Sequence, residues 1–200
     1  EVCRQLKANN TNLVIAGRNR TEGDALASDL GASFEYADAT NSRDIEECIK
    51  ATIARYGEIN GVVNCVGSSL LKPSHTTSEE EWADTLSTNL TSAFIAVKAS
   101  VKYMSNPIGG SIVLLSSACG RLGMPNHDAI AAAKAGIIGL TLSSAASYAS
   151  RNIRVNCVAP GLIDTSLTSK LTSNRASLEA SKKMHPLGRI GNTCLLFLFF

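Results

Sequence analysis

GSIVLLSSACGRLGMPNHDAIAAAKAG, residues 110–136, decides how the rest of the chain is read. Its first part is a short apolar run, Ile112 to Leu115, that stops at Ser116-Ser117 and reads as a buried strand. Asn126 then stands where an N-cap would stand, with Asp128 in the first turn of the helix that carries Lys134. A strand that closes on hydroxyls and feeds a helix is half of a parallel crossover unit.

The same pattern recurs on either side. NLVIAG (12–17), ASFEYAD (32–38), GVVNCVG (61–67) and NIRVNCVAPG (152–161) read as strands, the apolar ones buried on both faces. Between them, 21–30, 42–57 and 78 to about 105 have helical spacing; Ile45, Cys48, Ile49, Thr52, Ile53 and Tyr56 share one face of the second, which Gly57 stops. The chain opens on EVCRQLKANN, helical until two asparagines end it. This alternation predicts an α/β fold, a doubly wound parallel sheet of Rossmann-like type, as one domain over residues 1–191. Residues 192–200, containing CLLFLFF, form an apolar tail too short to span a bilayer and an aggregation hazard if exposed.

Composition narrows the function. The 19 basic and 17 acidic residues are scattered, which argues against nucleic acid as a partner. No apolar run in the sequence suits a membrane span, so no membrane role is expected. Six cysteines without C-x-x-C spacing read as buried, reduced thiols of an intracellular, reducing compartment, cytoplasm or organelle interior, and no metal site is expected. Asn9 and Asn89 fit the glycosylation pattern, but without a secretory signal they read as unmodified.

In a sheet of this kind ligands bind beyond the carboxyl ends of the strands. The residues there are Gly17-Arg18, Asp38, Asn64 to Gly67, Ser116-Ser117 and Pro160-Gly161. Each alone reads as a turn. In this order, over residues 1 to about 190, they resemble the short-chain dehydrogenase/reductase family, with 3-oxoacyl-carrier-protein reductase-like members nearest in pattern. NCVG (64–67) is similar to the family's Asn-Asn-Ala-Gly strand end, and GSIVLLSSACG to its Ile-Val-x-x-Ser-Ser-x-x-Gly segment. RNIRVNCVAPGLIDT is similar to the segment leading into Pro-Gly-x-x-x-Thr.

The resemblance implies roles. Ser117 becomes the catalytic serine that holds the substrate oxygen. Asn89 becomes the helix asparagine that holds a water chain, and Lys134 the lysine that bonds the nicotinamide ribose. Thr165, after Pro160-Gly161, would touch the nicotinamide carboxamide, with Asn64 and Gly67 lining the cofactor. The family's tyrosine stands four residues before the lysine, one helical turn, on the same face. Here that position is Ile130, which has no dissociable proton. His127 is the nearby substitute, three residues earlier and of suitable ordinary pKa. A water between Ser117 and Lys134 and a merely solvated His127 are the alternatives.

Gly17 occupies the place where NAD enzymes carry an acid, and Arg18-Asn19-Arg20 follow. Guanidinium suits a 2′-phosphate, so NADP(H) is expected over NAD(H). Asp38 fits the family's contact to the adenine amino group or, equally, a cap on its own turn. The sequence holds no G-x-G-x-x-G, and it departs from the family pattern after MHPLGRIG (184–191). The chain therefore reads as truncated, with the first strand, its glycine-rich loop and the last strand missing.

Two functions follow. One is an oxidoreductase moving a hydride between NADP(H) and a small carbonyl or alcohol substrate, with residues 161–185 as a polar lid. The other is a catalytically silent nucleotide-binding or scaffolding subunit, motivated by Ile130. Ala129, Ala132, Ala133, Gly136 and Gly139 form a small-residue face suited to a partner helix in a homo-oligomer, or to this domain's own sheet.

Overall fold

The structure, a computed structural model, describes residues 1–104 and 108–194. A first helix, α1 (Val2–Ala8), precedes β1 (Val14–Gly17), which runs parallel to β2 (Ser33–Tyr36) with Ile15 opposite Phe34. The crossover between them is α2 (Arg20–Leu30), capped by Asn19, whose side chain accepts from the Glu22 amide at 3.2 Å. α3 (Ser42–Tyr56) is capped by Asn41 and ended by Gly57 at a φ of 86°, and it lays Ile49 into the core.

The second ladder is β3 (Gly61–Asn64), β4 (Gly110–Leu115) and β5 (Ile153–Val158), all parallel and in that spatial order. α4 (Glu79–Leu86), opened by a reciprocal Ser78–Glu81 capping box, leads through a π-helical turn (Ser87–Thr91) into α5 (Ser92–Tyr103). α6 (Asp128–Tyr148) connects β4 to β5, and α7 (Ser169–Thr172) and α8 (Arg175–Met184) follow β5. Ile112 and Leu114 of β4 and Ile153 and Val155 of β5 meet Ala93 and Val97 of α5 and Ile137 of α6. Each such aliphatic side chain removed from water contributes about 1.5–3 kcal/mol.

Strands are added outward from β1 in one ladder and outward from β3 in the other, the arrangement that makes a switch point of a Rossmann-like sheet. Among the described residues no ladder joins β1 to β3, so each keeps one unpaired hydrogen-bonding edge. That corrects the expectation of strands buried on both faces: both are largely half-buried, and Arg154 and Asn156 of β5 are exposed.

Three local expectations also change. The β3 ladder stops at Asn64, not Gly67, because the Asn64 carboxamide accepts from the Val66 amide at 3.0 Å and turns the chain. The long helix of 78–105 is interrupted by the π-helical turn. Asn126 is not a cap: it sits at a φ of 61°, and His127 takes the N-cap position without capping by its side chain.

Asp128–Arg151 is long and apolar enough by composition to cross a membrane, contrary to the reading of the sequence. Here Ala129, Ile130, Ala133, Ile137, Thr141 and Ser144 of that stretch are buried within the molecule. Its small residues divide the same way. Ala129 and Ala133 face inward and Gly136 lies against Leu90, whereas Ala132 and Gly139 are exposed. Of the apolar tail, residues 195–200 lie outside the described residues.

Candidate active site

Ser116 and Ser117 leave β4 in opposite directions, as successive strand residues must. Ser116 is buried and donates to the Lys134 carbonyl oxygen at 2.7 Å. Ser117 is half-buried and caps a 3-10 turn (Ala118–Gly120), its hydroxyl oxygen accepting from the Cys119 amide at 3.3 Å. That turn is seated on α6: a Cβ at Gly120 would come 2.8 Å from the Lys134 carbonyl carbon and 2.9 Å from the Ala135 nitrogen. Only glycine allows this approach. Replacing Gly120 by alanine is expected to cost about 1–3 kcal/mol, read as a lowered urea midpoint at unchanged slope, because the obstacle is main chain.

Lys134 is only 8% exposed. Its ammonium donates to the Leu115 carbonyl at 2.9 Å, and a Cβ at Gly67 would sit 3.5 Å from Nζ and 3.0 Å from Asn89 Oδ1. The lysine and the asparagine thus face the same bare stretch of backbone after β3. Among the described residues no carboxylate pairs with Lys134. Burial holds its pKa below the ordinary lysine range, against a smaller upward pull from the Cys119 and Cys65 thiols.

Asn89 is 1% exposed and lies within the π-helical turn, a feature that recurs at functional sites. It donates to Ser68 Oγ and to the Thr85 carbonyl, both at 2.9 Å, and accepts from the Ser68 amide at 3.1 Å. A glycan there is excluded by burial. Asn64, also buried, reaches Ser92 Oγ at 3.5 Å. Cys65 is exposed as a residue, while burial of its thiol pushes the pKa up to about 11. The expectation of buried thiols holds for Cys119, whereas Cys65 and Cys194 are exposed.

Ile130 is 5% exposed and stands one turn before Lys134. His127, half-buried, holds Nδ1 at 2.7 Å from the Pro125 carbonyl. A carbonyl only accepts, so Nδ1 carries a hydrogen. The loop before α4 is tied beside it, with the Ser74 amide donating to Asp128 at 2.6 Å and Lys72 bridged to His127.

At the far end, Arg18 lies 3.7 Å from Asp38, and its side chain is 70% exposed. Asp38 caps its own turn, accepting from the Thr40 amide at 2.9 Å and hydroxyl at 2.7 Å, and these bonds lower its pKa before Arg18 adds to them. Arg20 is stacked 5.5 Å from the Tyr36 ring centre. After β5, the Pro160 carbonyl accepts from the Ala118 amide at 2.8 Å, which ties the β4 and β5 ends together. Thr165 pairs with Thr168 Oγ1 through both its amide and its hydroxyl at 3.1 Å.

The profile of a family described as Enoyl-(Acyl carrier protein) reductase matches residues 1–195. The chain belongs to the short-chain dehydrogenase/reductase family. It is 38% identical over 186 residues to a 3-oxoacyl-(acyl-carrier-protein) reductase FabG of Chlamydia muridarum, with 90% of this chain and 74% of that protein covered. It is 33% identical over 193 residues to the protein of the same name in Escherichia coli, covering 95% and 78%. It is also 34% identical over 199 residues to trans-4-hydroxycyclohexanecarboxylate dehydrogenase of Sinomonas cyclohexanicum, covering 94% and 74%. Membership makes the chain an oxidoreductase by class and implies a nicotinamide cofactor.

The site fits that cofactor in part. Lys134 and Asn89 offer an ammonium and a carboxamide beside the Gly67 backbone at one end, and Arg18 offers a guanidinium at the other. For the pyrophosphate, no glycine-rich turn offering clustered amides occurs in the sequence. Reading the sequence named Ser116 only as a strand-end residue and singled out neither Ser68 nor Gly120 as parts of the site. The Ser-Ser and Gly-Ser pairs were visible, but their partners lie on other elements.

Proposed function

We propose that this short-chain dehydrogenase/reductase interconverts a small carbonyl and its alcohol with NADP(H), using Ser117, Lys134 and Asn89. The observation that carries the reading is a buried ammonium that no carboxylate among the described residues pairs, beside Asn89 and the β4 strand end. Such a group is costly to keep unless something arriving later uses it. The nicotinamide supplies or takes the hydride when bound. Ser117 would hold the substrate oxygen, Lys134 and Asn89 the ribose side, and Thr165 with Pro160-Gly161 the carboxamide. Asn64 and Gly67 line the floor between them, and Asp38, with its turn, borders the adenine.

Arg18 supports NADP(H). Its ion pair with Asp38 is long and solvent-exposed, worth about 1 kcal/mol or less, so the guanidinium is available to a 2′-phosphate. Carbonyl reduction needs a proton on oxygen as well as a hydride on carbon. Ile130 supplies none, and the proton would come from Nε2 of a doubly protonated His127 or from water. Exposed Phe94 and Leu142, on the helices flanking the small-residue face, fit a second copy of the chain in a homo-oligomer. Six free thiols fit a reducing compartment.

The test is NADPH oxidation over a panel of ketones and aldehydes, with cofactor affinity measured in parallel. Turnover that Ser117→Ala and Lys134→Ala abolish, together with NADPH binding about tenfold or more tighter than NADH, is the expected result. Arg18→Ala should erase the preference. Binding without turnover on any carbonyl would favour the second reading, a silent nucleotide-binding subunit, which rests on Ile130 at the proton donor's position. Absence of binding would sink both.

A further inference from the structure

His185 closes α8 and precedes Pro186, a place where a histidine would ordinarily read as a solvated helix end. Its ring is instead fully engaged. Nδ1 lies 2.7 Å from the Ser181 carbonyl, one turn back on α8, and Nε2 lies 3.0 Å from the Leu162 amide nitrogen. The carbonyl only accepts and the amide only donates, so a single form satisfies both: neutral imidazole with its hydrogen on Nδ1. The ring reaches this position because residue 161 is glycine, where a Cβ would come 2.3 Å from Nε2.

Leu162 follows Pro160-Gly161 directly. Its carbonyl accepts from the Gly191 amide at 2.9 Å, and the Gly191 carbonyl accepts from Asp164 at 3.0 Å. Thr168 Oγ1 donates to the Ile163 carbonyl at 2.6 Å and accepts from the Thr165 amide. The loop carrying Thr165 is thus held on one side by Gly191 and Thr168, through groups that do not titrate. On the other it is held by a ring that does. The charged groups on the elements that carry or meet the ring are Glu179, Lys182 and Lys183 on α8, Arg189 in the following turn and Asp164 in the loop. Lys182 is paired with Glu179 at 2.8 Å, and no hydrogen bond or ion pair joins any of them to the ring.

We propose that His185 is a positioning residue for the β5 strand-end loop, holding Leu162, and through it Thr165, only while its ring is neutral. The consequence for cofactor binding rests on the reading that residues 160–165 line the nicotinamide. A proton added at Nε2 would face the Leu162 N–H, two donors with no acceptor between them, and the loop would lose that anchor.

The test compares wild type, His185→Gln and His185→Leu at pH 8 and pH 5.5. Glutamine keeps an acceptor for Leu162 and does not titrate, whereas leucine has no acceptor. Two quantities are read: the hydrogen-exchange protection factor of the Leu162 amide, and NADP⁺ affinity by calorimetry. In wild type, protection should fall about tenfold and affinity several-fold at the acid pH. H185Q should hold protection at both pH values, and H185L should lack it at both. H185Q shares every other titrating group, including the cofactor's own phosphates, so its affinity change measures the background. Unchanged protection in wild type at pH 5.5, or full protection in H185L, overturns the proposal. Lost protection with wild-type affinity tracking H185Q would leave the anchor standing and overturn its placement beside the nicotinamide.

Discussion

Ile130→Tyr is expected to raise kcat for carbonyl reduction by about 10²–10⁴-fold, the usual contribution of a positioned proton donor. The substituted side chain would leave α6 one turn before Lys134, so phenol and ammonium would share a face. The isoleucine is 5% exposed and already packed, so the larger ring carries an overpacking cost of about 1–3 kcal/mol. Ile130→Phe separates the two effects. It brings nearly the same volume and no proton, and should lower stability without raising the rate. Equal rates for the two variants would show that no donor is wanted at this position. The gain should also vanish in Ile130→Tyr/Lys134→Ala, since the lysine lowers the phenol's pKa in the proposed arrangement.

Lys134→Met should abolish turnover and at the same time stabilise the protein. The ammonium is buried, bonded to one carbonyl and matched by no carboxylate among the described residues, so an isosteric apolar chain removes a desolvation cost. Replacements of buried ionic groups by packed apolar ones gain up to about 1–4 kcal/mol. The pH dependence gives an independent check. Burial sets the folded pKa of Lys134 below the unfolded one, so between the two values the unfolded chain binds more protons. The cost of the buried charge is therefore fully present below the folded pKa and disappears as pH rises toward the unfolded value. Wild-type stability should gain relative to K134M as pH rises through that alkaline window, measured by urea unfolding. A variant less stable than wild type at neutral pH would mean that the ammonium is structural.

Much of the architecture was legible because chain polarity makes strand ends conspicuous. Gly17, Asn64, Ser116 and Pro160 each punctuate an apolar run, and all five strands occur where the runs are. The ends were less accurate for an identifiable reason. Cys65 and Val66 look like more strand, but the Asn64 side chain turns the backbone first. The π-helical turn has no signature in residue spacing, because it serves Asn89, whose partner Ser68 lies 21 residues earlier on another element. A lysine among alanines ordinarily reads as solvent-facing. Two residues without side chains lie against it, Gly67 beside its ammonium and Gly120 on its main chain. His185 gave no signal, since its partners are main-chain atoms.

The seat of Gly120 on α6 sets the gap between the strand-end hydroxyl and the helix ammonium by main chain resting on main chain. Such a spacer takes no instruction from neighbouring side chains. Core residues such as Ile137 or Leu114 can drift in identity over generations and alter the protein's hardiness while the hydroxyl and the ammonium keep their separation. Chemistry at the crevice and sturdiness of the interior are in this way free to evolve on separate schedules.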